Sequence, residues 1–565
     1  MKAKTQTRHR IITRIKSSCC LVFGFRVLGE KVLRHCFLEA AIFKDVLLGK
    51  EGRKEVRTKM KETEIVFIPS PGIGHLISTV ELVKLLINRD ERLSITVLIM
   101  KLPNDSTPTS SASAYESDTA RIRFVHLPNP TPTPTQVDSE PPKSLRHFLF
   151  DFIHSHKTHV RDVVADITRS HSVRLAGVVI DMFCTTMIDV ANEFGVPSFV
   201  FFTSGAAVLG LMFHLQSLQD HQNQDITEFH DSDAELLVPT FTNPVPAKLL
   251  PSGMLDKGGS GTLFLAIFRK FRETKGILVN TFAELESHAI RSLSTLSSDG
   301  DDNIPPIYPV GPILNIKEGG CGGEVTHNNQ EQYDAIMSWL DDQPPSSVVF
   351  LCFGSKGCFG DNQVKEIAHA LESSGHCFLW SLRRPPPKGS VDLPQDYSNP
   401  EDVLPEGFLE RTVGKGMGKV IGWAPQAAVL SHPAVGGFVS HCGWNSTLES
   451  IWCGVPVATW PLYAEQQMNA FELVRELGLA VELKLDYRGD FFWSSDEVGL
   501  LRAEEIESGI RQVMMDGEIR KKVKEMKEKS RVAMMEGGSS YISLGRMIED
   551  LIHDALQNIQ TPPGL

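Results

Sequence analysis

Long apolar runs are missing from this chain. Among its 565 residues, 41% are hydrophobic, yet no stretch of 18 or more consecutive residues is apolar. A helix that spans a bilayer needs about 20 mainly apolar residues in a row. The sequence therefore predicts no stable insertion into a membrane, and its length predicts more than one domain, each with its own core.

Patterned cysteine is also missing. The ten cysteines include one adjacent pair, Cys19 and Cys20, and otherwise show no repeated short spacing. Disulfide frameworks and zinc sites rely on such spacings. Several of the other cysteines lie in predicted buried strands. We therefore expect reduced thiols in the core of a cytoplasmic protein.

Positive charge is scarce beyond the first 60 residues. Residues 1–60 contain 15 Lys and Arg against five Asp and Glu, a net charge of +10. Because the net charge of the whole chain is −12, the remaining residues have a net charge of −22. An acidic body does not favour nucleic acid as a partner. We expect the basic extension to be unstructured or to reflect a mispredicted translation start. The apolar run at 19–25 is too short for a strong secretory signal. Organelle targeting by a transit peptide is the alternative.

Two ligand-binding signatures fail. A nicotinamide dinucleotide fingerprint that started at Gly72 and Gly74 would need a third glycine where Ile77 stands. Asp231 and Asp233 have the spacing of a metal-binding Asp-x-Asp pair, but they follow no predicted strand and lie among polar residues. We interpret that segment as a solvated loop, which leaves no metal site.

Short apolar runs alternate with helical patterns twice along the chain, which predicts an α/β fold with two doubly wound parallel sheets. The first series of predicted strands is 65–68, 95–100, 122–126, 177–180 and 198–202, with helices at 78–88, 144–170 and 186–194. The second series is 348–352, 377–382, 419–421, 437–440 and 455–459. Segments 103–120 and 128–142 are predicted loops.

Residues 423–466 contain the densest group of functional side chains. Trp423 follows an apolar run, so its indole is expected at the carboxyl end of a strand, where it can stack on a base. After the next predicted strand, residues 441–450 turn into a helix. The amides of Asn445 and Ser446 at the helix N-terminus, with His441 nearby, would bind a diphosphate without a metal.

Three acidic or amide side chains complete this stretch. Glu449 lies one helical turn beyond Asn445, where a carboxylate can accept both hydroxyls of a ribose. Glu465 and Gln466 follow the next predicted strand and offer groups that can bind a hexose. The pattern as a whole predicts a nucleotide-sugar site.

This stretch resembles the signature box of the plant family 1 UDP-dependent glycosyltransferases, and the resemblance extends over nearly all of residues 62–560. It implies a GT-B fold, in which two Rossmann-like domains face each other across a cleft. The terminal Gln466 matches the form associated with UDP-glucose as donor. The implied donor contacts are Trp423, Ala424 and Gln426 at the nucleoside, Glu449 at the ribose, His441, Asn445 and Ser446 at the phosphates, and Trp444, Glu465 and Gln466 at the sugar.

The expected domain limits follow from this resemblance. They are an extension at 1–60, an acceptor domain at 61–315, a linker at 316–335 with four glycines between 318 and 323, a donor domain at 336–540, and a C-terminal helix and tail at 541–565 that cross back to the first domain. A monomer is expected.

His75 is the candidate catalytic base. It follows the strand at 65–68 and a turn at 69–74, while Asp181 ends the strand that begins near 177 and matches the family's aspartate. A phenol has a pKa of about 10 and an unperturbed histidine one of about 6.5, so the imidazole would take the proton as the bond to the sugar forms. Asp181 would stabilise the imidazolium. Thr203 resembles a sugar contact and Ser355 a phosphate contact.

The resemblance implies inverting transfer of glucose to a hydroxyl of a small lipophilic acceptor, such as a flavonoid, phenylpropanoid, terpenoid or hormone-like molecule. A nucleotide-sugar epimerase and a non-catalytic sugar-nucleotide sensor remain alternatives, although a sensor has no need of His75 with Asp181. An apolar acceptor cleft is expected from some of five phenylalanines, of which at least half are expected to be core residues. They are Phe148, Phe150, Phe152, Phe201 and Phe202.

Overall fold

Two parallel β-sheets, one in each half of the chain, are the framework of the protein. The computed structural model describes residues 62–102, 120–129, 145–170, 173–298, 303–316, 330–387, 393–487 and 499–557. The basic extension 1–60, the glycine-rich stretch 318–323 and most of the loops predicted at 103–120 and 128–142 lie outside the described residues.

The first sheet has seven strands in the order β3-β2-β1-β4-β5-β8-β9. They are β1 (Glu62–Ile68), β2 (Leu93–Ile99), β3 (Ile122–His126), β4 (Val173–Asp181), β5 (Ser198–Phe202), β8 (Gly276–Val279) and β9 (Ile307–Pro309). A short antiparallel pair, β6 (Glu235–Leu236) and β7 (Val245–Pro246), lies apart from it. Strands β8 and β9 were not predicted from the sequence, because both are short and β9 ends in Pro309, a residue that argues against a strand.

The second sheet has six strands in the order β14-β11-β10-β15-β16-β17. They are β10 (Val348–Cys352), β11 (Cys377–Ser381), β14 (Gly418–Ile421), β15 (Val435–Ser440), β16 (Val457–Thr459) and β17 (Ala480–Glu482). The pair β12 (Arg383–Arg384) and β13 (Gln395–Asp396) is antiparallel. The three-residue strand β17 was not predicted, and β16 begins two residues later than expected.

Helices connect the strands and cover the sheets. They are α1 (Ile73–Arg89), α2 (Leu145–Ser155), α3 (Lys157–Arg169), α4 (Ile188–Glu193), α5 (Ala206–His221), α6 (Ser260–Phe271), α7 (Ser287–Ser298), α8 (Gln330–Asp341), α9 (Asp361–Ser374), α10 (Phe408–Arg411), α11 (Gln426–Ser431), α12 (Trp444–Cys453), α13 (Gln466–Phe471), α14 (Ala503–Met515), α15 (Gly517–Met534) and α16 (Ser539–Gln557).

Three helix predictions needed correction. The helix expected from residue 78 begins at Ile73, so the Pro- and Gly-rich turn before it is shorter than its composition indicates. The single helix expected at 144–170 is two helices that meet at His156, whose Nδ1 lies 2.9 Å from the Phe152 carbonyl oxygen. The helix expected at 186–194 begins as a 3-10 turn, Thr185–Met187, before α4.

Each sheet reverses its strand order at one place, between β1 and β4 in the first and between β10 and β15 in the second. The chain leaves neighbouring strands there in opposite directions, which opens a crevice at their carboxyl ends. Both halves therefore present a ligand-binding edge. The expected α/β fold with two Rossmann-like domains is confirmed.

Two contacts show how later parts of the chain pack on the first half. The C-terminal helix α16 lies against the first sheet, where Tyr308 donates a hydrogen bond to Asp550 at 2.7 Å. Phe241 of the first half contacts Phe471 of the second, with ring centroids 5.9 Å apart.

Helix α8 begins within the predicted linker 316–335. The domain limits stay a prediction.

Candidate active site

His75 and Asp181 meet at the crevice of the first sheet. His75 lies in the first turn of α1, directly after β1, and Asp181 ends the neighbouring strand β4. His75 Nδ1 lies 2.8 Å from Asp181 Oδ2. Since Nδ1 faces the carboxylate, Nε2 is the nitrogen that can accept a proton from a ligand.

The surroundings fix this pair. The Asp181 side chain is fully buried, whereas 30% of the His75 side chain is exposed. The Phe183 amide donates to Asp181 Oδ1 at 3.0 Å, and Thr203 Oγ1 lies 3.4 Å from His75 Nδ1. Burial lowers the pKa of His75, but the Asp181 charge and hydrogen bond outweigh it, so the net shift is upward.

An aromatic wall stands beside the His75 ring. The Phe183 ring centroid lies 5.5 Å from that of His75, and Phe150 and Phe264 pack against Phe183 at 6.0 and 6.4 Å. Of the five phenylalanines considered from the sequence, Phe150 joins this wall. Phe148 is partly buried, and three belong to the core: Phe152, Phe201 and Phe202.

His441 lies at the crevice of the second sheet. It follows β15, and its ring is enclosed by backbone. A Cβ on Gly443 or on Gly354 would come within 2.6 Å of His441 Nε2. Its Nδ1 is buried without a hydrogen-bond partner among the described residues. Burial lowers the pKa of His441 to about 4, so the ring is neutral at pH 7. It can act as a hydrogen-bonding group and not as a cation.

The N-terminus of α12 follows directly, with Gly443 as its cap. Gln426 Nε2 donates to Ser446 Oγ at 2.8 Å and to Glu449 Oε2 at 2.7 Å. Gln426 therefore orients both the hydroxyl expected at a phosphate and the carboxylate expected at a ribose. Burial raises the pKa of Glu449 to about 7, although Gln426 opposes the shift.

Trp423 and Ala424 follow β14 at the same edge of the second sheet. The Trp423 side chain is among the exposed large hydrophobic ones, at 39%, while Gln332 donates to its carbonyl oxygen at 3.2 Å. Ala424 is buried. The hydrogen bond fixes the backbone of Trp423 while its indole ring stays exposed, so the ring is suited to stack on a base.

Trp444, Glu465 and Gln466 were assigned to the sugar, and their side chains differ in what they can offer. The Trp444 indole is buried and donates to the Asn280 carbonyl oxygen at 2.7 Å, so its ring supports the junction with the first half. A sugar contact by Trp444 would have to use its backbone amide.

Glu465 directly precedes α13 and Gln466 is its first residue, and their side chains have different surroundings. Gln466 Oε1 accepts from the amides of Leu462 and Tyr463 at 2.9 and 3.1 Å, which fixes the orientation of the side-chain amide. Glu465 interacts electrostatically with His75, and burial raises the pKa of Glu465.

The two halves face each other at His75. Both Glu465 and Lys356, from loops of the second half, act on His75 electrostatically. One turn beyond His75, Ser78 Oγ lies 3.3 Å from Asn445 Nδ2 at the start of α12. The structure thus brings the candidate base and the candidate donor residues to one cleft.

Lys356 and two phenylalanines of the aromatic wall, Phe183 and Phe264, were not predicted from the sequence as site residues. Lys356 directly follows Ser355, which lies in the loop after β10, and burial lowers the pKa of Lys356 to about 8. Its position beside Ser355 was the available signal. Phe183 follows Asp181 by two residues, but Phe264 lies on α6, which carries no motif that points to the cleft.

The segment with Asp231 and Asp233 is exposed, and Asp231 ends a 3-10 helix beside His230. Among the residues that the structure describes, no three His, Cys, Asp or Glu side chains are grouped to hold a metal ion. In the same part of the chain, no helix has both the length and the apolar character to cross a bilayer.

The sequence matches known proteins over the region that contains this site. Residues 308–488 match the family model described as UDP-glucoronosyl and UDP-glucosyl transferase. The chain is 57% identical over 500 residues to UDP-glucose flavonoid 3-O-glucosyltransferase 6 of Fragaria ananassa, covering 87% of this chain and 99% of the relative. It is 55% identical over 493 residues to UDP-glycosyltransferase 71E1 of Stevia rebaudiana, covering 87% and 98%.

Solved structures agree with these sequence matches. UGT71G1 of Medicago truncatula complexed with UDP-glucose is 44% identical, with a TM-score of 0.75 and coverage of 87% of this chain and 98% of that one. A transferase of Siraitia grosvenorii in complex with UDP is 49% identical, with a TM-score of 0.75 and coverage of 87% and 100%. The chain belongs to the plant family 1 UDP-dependent glycosyltransferases, which are enzymes with the GT-B fold.

Proposed function

We propose that this enzyme transfers glucose from UDP-glucose to a hydroxyl of a small lipophilic acceptor and gives a β-O-glucoside with inversion. The observation that carries the proposal is the His75 and Asp181 pair, 2.8 Å apart, which faces the donor residues of the second half. The Fragaria relative supports UDP-glucose as donor and a flavonoid as one acceptor class.

The donor would lie along the edge of the second sheet. Trp423 would stack on the uracil, with Ala424 and Gln426 beside the nucleoside, and Glu449 would accept the ribose hydroxyls. The exposed indole and the orientation of Glu449 by Gln426 support these roles.

The diphosphate would be held by neutral donors at the start of α12. The candidates are His441, the Asn445 and Ser446 amides and the Ser355 hydroxyl. A helix N-terminus favours an anion through its free amides and its dipole. Because His441 is neutral at pH 7, the charge that develops on the leaving diphosphate would be stabilised mainly by oriented dipoles, without a metal.

The glucosyl group would lie between Gln466 Nε2, the Glu465 carboxylate, the Trp444 amide and Thr203. The acceptor would lie against the aromatic wall of Phe150, Phe183 and Phe264. His75 Nε2 would then take the hydroxyl proton as the oxygen attacks the anomeric carbon from the face opposite the diphosphate, while Asp181 stabilises the imidazolium that forms. One displacement inverts the anomeric centre.

We also propose a cytoplasmic location and a monomeric state. The described cysteines support a reducing compartment, because all six are free thiols and three of them are buried. A sugar-nucleotide sensor or an epimerase would keep the donor residues, but neither accounts for the buried carboxylate behind His75.

The test is UDP release from UDP-glucose by the purified chain in the presence of EDTA, with and without a panel of flavonols, hydroxycoumarins and simple phenols. We expect release that depends on the acceptor, with matching glucoside masses. Tight binding of UDP-glucose without turnover on any acceptor would favour the sensor. Release that EDTA abolishes would contradict the metal-independent mechanism.

A further inference from the structure

Two glutamates from the two halves of the protein meet in a buried junction outside the cleft. Glu286 follows β8 in the first half, and Glu472 follows α13 in the second, and only 2% and 3% of their surfaces are exposed. The Glu286 carboxylate accepts from the Ala206 amide at 2.9 Å and from the Ala207 amide at 2.7 Å.

One proton must be shared at this junction. Two carboxylates that touch in a buried site cannot both ionise without a large repulsion. Glu286 accepts two amides at the N-terminus of the 16-residue helix α5, an environment that favours a negative charge. Glu472 has no such donors among the described residues, and its buried Oε2 has no hydrogen-bond partner there, so Glu472 is the carboxyl that holds the proton. Burial, followed by the Glu286 charge, raises the pKa of Glu472.

The junction supports the first residue of the phosphate-side helix α12. A Cβ on Gly205 would come within 2.9 Å of both Glu286 Oε1 and the Trp444 ring, so these groups close on the same glycine. The Trp444 indole also donates to the Asn280 carbonyl oxygen at 2.7 Å. Glu286 and the first residue of α12 therefore pack around one glycine at this junction.

The junction also holds the sugar-side helix α13. Glu472 comes directly after α13, whose first residue is Gln466, and six residues of helix span about 9 Å. A π-helical turn, Glu472–Glu476, begins at this glutamate, and the Leu477 amide donates to the Glu472 carbonyl oxygen at 2.9 Å. Such turns are rare and often lie at functional sites.

We propose that Glu286 and Glu472 are positioning residues for the donor: the proton they share joins the two halves and holds α12 and α13 in the arrangement that binds UDP-glucose. Neither side chain touches a reacting atom. The inference rests on the proposed function for the identity of the donor.

The direction of the pH effect follows from the surroundings of the pair. Because the pKa of Glu472 is raised, its carboxyl keeps the proton to a higher pH than an exposed glutamate and loses it as pH rises through that raised pKa. The junction then contains two like charges, and Glu476, held by Thr242 and Asn243, adds a third. The α5 N-terminus offsets only part of this repulsion. Donor affinity should therefore fall on the alkaline side.

The experiment compares Glu472→Gln with the wild-type chain by calorimetric titration with UDP-glucose from about pH 6.5 to about pH 9.5. Glutamine can donate to Glu286 without titrating. We expect equal affinities at the lowest pH, and a loss of roughly fivefold at the highest pH in the wild type alone. Glu528→Gln, a change at an exposed residue of α15, is the control for the substitution type and should follow the wild type.

Glu286→Gln should give the opposite signature. The two Glu286 oxygens accept hydrogen bonds from the Ala206 and Ala207 amides, whereas a glutamine side chain has only one accepting oxygen. The affinity of this variant for UDP-glucose should therefore be lower at every pH. If the Glu472→Gln variant does not fold, proton uptake by the wild-type chain tests the same inference. Above about pH 8.5, where Glu449 is already ionised, binding should take up a proton, which titrations in buffers of different ionisation enthalpy measure.

Coincident pH curves for Glu472→Gln and wild type, or no proton uptake above that pH, would overturn the inference alone. A wild-type chain that binds no UDP-glucose at the lowest pH would overturn the proposed function, and the inference with it.

Discussion

Two histidines of this enzyme lie at the crevice edges of the two sheets, one in each half, and have opposite properties. His75 follows the first strand of its sheet and His441 follows the strand across the reversal in the other sheet, so both lie at the crevice edge. His75 has a buried carboxylate behind its ring and a raised pKa. His441 is surrounded by glycine backbone, and its pKa is lowered to about 4.

The difference shows that the topology determines where a histidine stands but not whether it ionises. The carboxylate favours the imidazolium, which suits a group that gains a proton in the transition state. Burial without a charged partner favours the neutral ring, which suits a hydrogen bond to a phosphate that keeps its own charge. Substitutions on either side of this comparison have different expected effects.

The largest effect is expected from His75→Ala. Loss of the base should lower kcat by about 10²- to 10⁴-fold, because the acceptor hydroxyl then has no group to take its proton. Glucoside formation is measured by chromatography with mass detection. The affinity for UDP, which His441 and α12 would bind, serves as the control and should not change. Undiminished glucosylation would contradict the assignment of His75.

Asp181→Asn should shift the pH profile as well as lower the rate. The active form has a neutral His75, so activity rises as pH climbs through its raised pKa. Without the carboxylate that pKa falls, and the acid limb of kcat/KM should move to lower pH, with kcat reduced by roughly 10²-fold. An acid limb that stays in place would show that Asp181 does not control the ionisation of His75.

Gly443→Ala tests the enclosure of the other histidine. The backbone of Gly443, with φ −60°, accepts an alanine, but the new Cβ would lie 2.6 Å from His441 Nε2. Overpacking of about 1–3 kcal/mol predicts roughly tenfold weaker UDP binding. Gly517→Ala is the matched control, since a Cβ there has no neighbour within 4 Å. Equal losses in the two variants would argue against a role for the His441 ring.

The smallest effect concerns Glu449, whose pKa of about 7 is set mainly by burial. The ribose hydroxyls would donate to the carboxylate form, so affinity should be present above that pKa and decline as pH falls through it. Uridine is the suitable ligand, because it has no titrating phosphate. Glu449→Gln should bind a few-fold more weakly with a flat pH profile. A slope that persists in the variant would assign the titration to another group.

Much of the framework could be predicted from the sequence. Strand and helix periodicity predicted five strands of each sheet, and the strand ends predicted the places of His75 and Asp181 and of the 423–466 stretch. These features could be predicted because they depend on local pattern and on the rule that parallel strands share one carboxyl edge. Short strands such as β9 and β17 carry too few residues for a pattern.

Local pattern and motif were enough to predict the fold class, the family and the edge at which the site lies. Four features became visible only in the folded chain: the Trp444 indole supports the junction, Lys356 and Phe264 reach the cleft, His441 is neutral, and Glu286 meets Glu472. Each of these depends on burial or on contacts between residues far apart in the chain. Neither quantity has a local signature, because a side chain acquires its pKa and its partners only when distant elements pack around it.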